Sequence, residues 1–314
     1  MNRRDSIFQL LHDSTPPAYV PAGFFIHFDK KFHVGQAAID KHLEYFHYTG
    51  MDFVKIQYEL TFPQRPEIGQ PADWKHMPFY GKDFYAPQLA VVKGLVKAVG
   101  KAAPVIVTVY SPFMCAGHTV GGQSEITRHI SEDPQAVQAG MEIITASLGI
   151  FVAECIALGV DGFYASTQGN ESFRFSDPSL FGQCVKPYDL ALMAEMNRGC
   201  DFNILHICDY HGGYDDLGVF GDYPGQVVNC SQQVGKRKWR MDELSTRFGR
   251  PFMGGVERKG IIATGSEDDV RQMVEGLLAE APPRYILAAD CTLPNDVPWG
   301  NIRAAIDTAH SWGK

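Results

Sequence analysis

Apolar residues recur along this chain in short unbroken runs, and each run is followed by a longer stretch in which they return at helical spacing. Runs at residues 20–28, 52–57, 104–110, 161–166, 202–208, 226–230, 251–256 and 285–289 predict strands buried on both faces. Helical spacing predicts helices over 35–49, 86–101, 134–158, 187–198, 241–248, 267–279 and 301–312, with a short helix near 214–219. An amphipathic helix over 4–12, ended by Ser14-Thr15-Pro16-Pro17, precedes the first strand. Residues 61–84 carry Pro63, Pro66, Pro71 and Pro78 and predict a long irregular loop, a candidate lid or wall over a site. Residues 111–123 predict a further loop.

Strands that alternate with helices form parallel sheet, because each parallel crossover needs a connection of a dozen or more residues. Eight such units in 314 residues predict a single (β/α)8 TIM barrel over 1–314, an α/β fold; a doubly wound open sheet is the alternative. No composition break or Gly/Ser linker divides the chain.

Composition narrows the function. The chain is 45% hydrophobic and 20% charged, with a formal net charge of −8, opposite to the basic footprint of a nucleic-acid binder. No unbroken apolar run reaches the length of a membrane span, and Met1-Asn2-Arg3-Arg4 leads into no apolar signal core. Seven scattered cysteines fit a reducing compartment, and the expected location is cytoplasmic.

Candidate chemistry gathers where strands end. In Phe202-Asn203-Ile204-Leu205-His206-Ile207-Cys208-Asp209, His206 and Cys208 are two apart and point the same way from a strand. Zinc needs a third protein ligand, and Cys291, after the run Ile286-Leu287-Ala288-Ala289-Asp290, is the candidate. In a barrel all three sit at the carboxyl-end rim, where barrel active sites lie. Core packing is the alternative for each. His27, Glu59, Gln168 and Glu257, also at strand ends, are catalytic candidates, Glu59 and Glu257 also as a fourth ligand. Tyr110, Tyr164 and Asn229 are candidate substrate contacts. Asp209 and Asp290 orient His206 or cap a turn; Gly121-Gly122, Gly212-Gly213 with His211, and Gly254-Gly255 are expected in plain loops. The run Lys236-Arg237-Lys238-Trp239-Arg240 is a solvated loop or a landing site for an acidic partner.

His-x-Cys after one strand and Cys-x-x-Pro (Cys291, Pro294) after the last are joined by Asp161-Gly162-Phe163-Tyr164-Ala165 and Val185-Lys186-Pro187-Tyr188-Asp189-Leu190. This set resembles the uroporphyrinogen decarboxylase superfamily from Pro21 to Ala305, and more narrowly its zinc methyltransferase branch, which includes methylcobamide:coenzyme M methyltransferases. The resemblance implies Zn2+ on His206, Cys208 and Cys291. It also implies a corrinoid supplied on a partner protein and a small-molecule methyl acceptor, a thiol or a pterin. The decarboxylase branch holds a polycarboxylate tetrapyrrole with arginines after the first strand. Here that region, Phe24-Phe25-Ile26-His27-Phe28-Asp29-Lys30-Lys31, has none, and lysine lacks the bidentate fork. An open zinc position also serves a hydrolase through a bound water, and a protein with purely structural cysteines carries no metal.

Overall fold

The computed structural model describes residues 2–13 and 17–312, so the expected helix stop at Ser14, Thr15 and Pro16 lies outside it. Among the described residues, seven parallel strands form one curled sheet in chain order. They are β1 (Val54–Ile56), β2 (Val105–Tyr110), β3 (Gly162–Thr167), β4 (Ile204–Ile207), β5 (Val227–Cys230), β8 (Phe252–Val256) and β9 (Tyr285–Ala289). Two short strands, β6 (Gln233–Val234) and β7 (Arg237–Lys238), make a separate antiparallel hairpin. The fold is TIM-barrel-like, with seven strands in the ladder rather than the expected eight.

The apolar run at 20–28 is the exception. It meets β9 through a single parallel bridge, Ala22 to Leu287. Gly23 N donates to Leu287 O at 3.0 Å and Leu287 N to Pro21 O at 2.9 Å, while on the other side Asp52 N donates to Ala22 O at 3.0 Å. Pro21 has no N–H to extend a ladder. Beyond it the carbonyls of Phe24, Phe25 and Ile26 accept from the Tyr45 hydroxyl, the Leu293 amide and the Gln57 side chain. Extended chain thus lies between β1 and β9 with its hydrogen bonds spent outside a strand.

The helices cover the outer face: α2 (Gly35–Thr49), α3 (Lys82–Val99), α6 (Pro134–Ala157), α8 (Lys186–Gly199), α9 (Met241–Phe248), α11 (Glu267–Ala279) and α12 (Trp299–Ser311). Four short helices fall in loops where none was expected: α4 (Pro112–Thr119), α5 (Gln123–Glu132), α7 (Ser179–Cys184) and α10 (Ile261–Thr264). Ser111 accepts from Met114 N and Pro112 opens the first turn, which starts α4 inside the predicted loop. Near 214–219 only a 3-10 turn, Gly218–Phe220, forms. By length and composition α6 is apolar enough to cross a membrane, beyond what the run of residues suggested; it packs here against α3, α8 and a 3-10 turn at Pro71–His76.

Residues 61–84 are not a lid. Phe62, Ile68, Trp74, Met77 and Tyr80 are buried, Trp74 Nε1 donates to His129 Nδ1 at 3.0 Å, and Tyr80 N to Ser147 Oγ at 2.9 Å. These contacts seat the segment on α5 and α6. Nor do Gly254 and Gly255 form a loop: both lie within β8. Gly255 has φ +94, and a Cβ there would meet Tyr285 Oη at 2.6 Å.

Inward positions alternate along each strand and change character from one end to the other. At the amino end Phe53, Ile106, Phe202, Ile204, Val227, Met253 and Ile286 form an apolar plug that Ile7 and Leu10 of α1 (Arg3–His12) complete. Arg284 fastens α1 by donating to the carbonyls of Leu10 and Leu11 at 2.9 and 2.6 Å. Toward the carboxyl end the same lanes turn polar: Lys55 and Gln57, Thr108, Ser166, and His206.

Candidate functional site

These polar lane ends line a cavity of about 620 Å3 at the carboxyl ends of the strands. His206 is the last inward residue of β4, and Cys208 follows it one residue beyond the strand, its N–H donating to Thr167 O at 3.0 Å. Cys291 lies two residues past β9. All three are buried, and one ligand atom from each lies within 4.8 Å of the others. Cys208 Sγ is 4.0 Å from Cys291 Sγ, which is 3.5 Å from His206 Nε2.

These separations suit a tetrahedral ion with N and S ligands. Metal–sulfur bonds of about 2.3 Å and metal–nitrogen bonds of about 2.0–2.1 Å put two sulfurs about 3.8 Å apart and sulfur and nitrogen about 3.6 Å apart. Three protein ligands leave one position for substrate, the pattern of a catalytic rather than a structural site. The imidazole is fixed by stacking on Tyr164, with centroids 4.7 Å apart, and its Nδ1 is buried with no hydrogen-bond partner among the described residues. The hydrogen bond with Cys291, then the Tyr210 backbone amide and the Gln168 side chain, hold the Cys208 thiol below its ordinary range against the cost of burial. Cys291 is pushed up, first by that same bond and then by burial. The same contact thus favours the ionised form at Cys208 and the neutral form at Cys291.

The other expected residues divide. Gln168 Nε2 donates to Cys208 Sγ at 3.1 Å. His27 Nδ1 is 3.1 Å from Glu59 Oε1, and His33 Nδ1 is 3.7 Å from the other oxygen. Burial works against ionisation of Glu59, but the His27 hydrogen bond and the charges of His27, His33 and Lys55 hold its carboxyl below the usual range. Tyr110 and Tyr164 line the cavity. Asn229 does not: it is fully buried, accepts from Tyr164 Oη at 2.6 Å, and donates to the carbonyls of Met253 and Ala289 at 2.8 and 3.0 Å. Its amide is spent on residues of β3, β8 and β9, where it holds Tyr164. Glu257 is exposed and lines an adjacent cleft of about 380 Å3, away from the trio's cavity.

Asp209 and Asp290 neither orient His206 nor merely cap turns. Arg258 Nη1 donates to both, at 2.8 Å each, and its N–H to Asp290 at 2.9 Å. One guanidinium therefore ties together the residues that flank Cys208 and Cys291. In the basic run, Arg237 and Arg240 pair with Glu243 and Asp242, so it offers less free charge to an acidic partner than its sequence suggests.

Sequence reasoning overlooked Lys55. Its Nζ donates to Gln57 Oε1 and to Thr108 Oγ1 (2.9 Å) and lies 4.5 and 4.6 Å from the ring centroids of Phe25 and Tyr164. Burial pushes its ammonium down to about 7. The signal was legible: one lysine inside an otherwise apolar parallel strand. His118 and His211 also line the cavity, and burial holds the His118 imidazole below its ordinary value.

A sequence profile of the family described as Uroporphyrinogen decarboxylase (URO-D) matches residues 50–312. A solved methyltransferase from Methanosarcina mazei superposes with a TM-score of 0.79 at 14% identity, covering 98% of each chain. A putative vitamin-B12-independent methionine synthase from Listeria monocytogenes gives a TM-score of 0.60 at 13% identity, covering 96% of this chain and 100% of that one. At these identities the likeness is one of fold. No curated protein sequence matches.

Proposed function

Because this chain belongs to the uroporphyrinogen decarboxylase family over residues 50–312, we propose that it is a zinc-dependent methyltransferase. It moves a methyl group between a corrinoid carried by a partner protein and a thiol or pterin acceptor. The observation that supports this most is the convergence of His206, Cys208 and Cys291 within 4.8 Å on one wall of a cavity large enough for a small acceptor. The two structural relatives, a methyltransferase and a putative methionine synthase by their descriptions, support it further. Seven free, buried thiols suit a reducing, cytoplasmic setting.

Zinc bound by the trio would supply Lewis acidity that releases the proton of a thiol near neutral pH. The chain's own groups do the rest. Glu59 stays ionised and holds His27, whose side chain is 45% exposed, where it carries that proton from the cavity to water. Tyr164 keeps the His206 ring in plane by stacking on it, and Asn229 holds Tyr164 in turn. Lys55 offsets negative charge gathering at two thiolates. Tyr110 and Met114 complete the wall and limit water at the sulfur ligands.

Decarboxylation of a polycarboxylate is less well served. Of the lysine and arginine side chains that line the cavity, Arg258 is paired with Asp209 and Asp290 and Lys55 is bound to Gln57 and Thr108, which leaves the exposed Lys259 as a single cation for several carboxylates.

Elemental analysis of the wild-type protein beside Cys208→Ser tests the site. Near-stoichiometric zinc in the former, reduced at least tenfold in the latter with unchanged circular dichroism, is expected. Equal metal content would remove the assignment. Demethylation of methylcobalamin should then depend on an added thiol and disappear in Cys291→Ser. Activity without thiol or pterin would point to a hydrolase instead.

A further inference from the structure

Cys208 is reached by a chain of side chains that runs outward from the cavity into the loops after β2 and β3. The Gln168 amide donates to its sulfur at 3.1 Å. Gln123 Nε2, at the first position of α5, donates to Gln168 Oε1. Arg174 Nη2 donates to Gln123 Oε1 at 2.8 Å. Arg174 is itself clamped by Glu171, with Nε and Nη2 each 2.8 Å from a carboxylate oxygen, and Gly169 N donates to the same carboxylate at 3.0 Å. The Glu171–Arg174 pair is nearly sealed from solvent, with side chains 0% and 4% exposed.

Each link has a direction. A guanidinium carries five donors and no acceptor, so it can meet Gln123 only at the amide oxygen. That turns the Gln123 nitrogen toward Gln168, which must offer its oxygen there. The Gln168 nitrogen is left facing Cys208. Without the relay nothing among these contacts distinguishes the two ends of the Gln168 amide, and the flipped form would put a carbonyl oxygen against a thiolate.

The geometry points to Gln123 and Arg174 as positioning residues for the metal centre: their donor-to-acceptor order fixes the Gln168 amide so that a hydrogen bond always reaches the Cys208 thiolate. That bond holds Cys208 in place and favours its thiolate before the metal arrives, so its loss weakens binding; it also draws electron density from the sulfur, so its loss raises the charge passed to the ion. This inference rests on reading His206, Cys208 and Cys291 as a metal site.

Cobalt(II) is the probe, because sulfur-to-cobalt charge transfer gives a near-ultraviolet band that needs no turnover. The variants are Gln123→Met, Gln168→Met and the double variant, each titrated with cobalt as intact protein. Gln123 is only partly buried at a helix start, so its variant should melt close to wild type. The expected result is a band moved to longer wavelength and about tenfold weaker cobalt binding in Gln123→Met. Gln168→Met should do the same, and the double variant should show no further change, since both act through one hydrogen bond. If Gln168→Met does not fold, the band and affinity of Gln123→Met still decide. An unmoved band and affinity in Gln123→Met, in a protein whose wild type shows the thiolate band, would overturn the relay and leave the metal site standing. A wild type that shows no such band would overturn both.

Discussion

Lys55 shows how a single residue separates stability from function. A buried ammonium held near pH 7 costs folding energy, and its two hydrogen-bond partners do not depend on it, because Thr108 Oγ1 also donates to Gln57 Oε1 at 3.2 Å. Lys55→Met keeps the length and removes the charge. Its stability should therefore stay within about 1 kcal/mol of wild type or rise, as when buried charges are replaced by apolar groups of similar volume. Methyl transfer should fall at least tenfold. A loss of several kcal/mol in urea unfolding with activity per folded molecule intact would make Lys55 a structural residue. At this scale the trio of candidate ligands was legible in the sequence, since His206 and Cys208 are two apart at the end of a strand run and extended chain needs no tertiary information to turn them to one face. Asn229 and Glu257 fall outside the trio's cavity for the converse reason: a strand end tells which rim a residue occupies, but not whether its amide is already spent or which cleft it faces.

Between elements, Asp189 of α8 joins the helix layer to the sheet behind Cys208. Thr167 Oγ1, at the end of β3, and Tyr223 Oη both donate to its Oδ2, at 2.5 and 3.1 Å, while Oδ1 is buried with no hydrogen-bond partner. Burial outweighs these bonds and pushes the carboxyl up to about 7. Its unfolded value is near 3.9, so between about pH 4 and 7 the folded state binds one more proton than the unfolded state. Stability must then fall as pH rises through that window, by up to about 1.4 kcal/mol per unit. Asp189→Asn should remove the fall and melt above wild type at pH 8; parallel melting curves from pH 5 to 8 would refute it. Helices α2, α9 and α11 matched their sequence reading to the residue, because their periodic stripes meet caps that the sequence shows: Gly50 and Gly249 end α2 and α9, and Ser266 opens α11. Helices α4, α5, α7 and α10 span ten residues or fewer inside connections between strands and the helices that cover them, too few turns for a periodicity window to set apart from the surrounding loop.

For the molecule as a whole, the two ends of the barrel do different work. The amino end is closed by α1, with Ile7 fully buried and Leu10 nearly so in the interior plug, and the carboxyl end carries the cavity. Leu10→Ala should cost about 2–4 kcal/mol in denaturant unfolding, yet leave the metal content of the folded protein unchanged. Lost metal with retained stability would contradict this division. Closure between β1 and β9 rests on extended chain around Ala22 and on Asp52. Asp52 accepts from Tyr19 Oη at 2.6 Å and Ala22 N at 2.7 Å, and His310 Nε2 lies 2.8 Å from it.

The sequence by itself determined the alternating parallel architecture and the rim that bears the chemistry. Buried parallel strands must be written as continuous apolar runs, and residues that face the carboxyl-end rim must follow them directly. It also marked His206, Cys208 and Cys291, whose residue types carry their chemistry wherever they stand. Only the tertiary structure decided that residues 20–28 close the sheet without joining it, that Arg258 bridges Asp209 and Asp290, and that Gln123 and Arg174 reach Cys208 through Gln168. Those outcomes depend on which loop side chains meet across the barrel mouth, and no local period or spacing records contacts between residues so far apart in the chain.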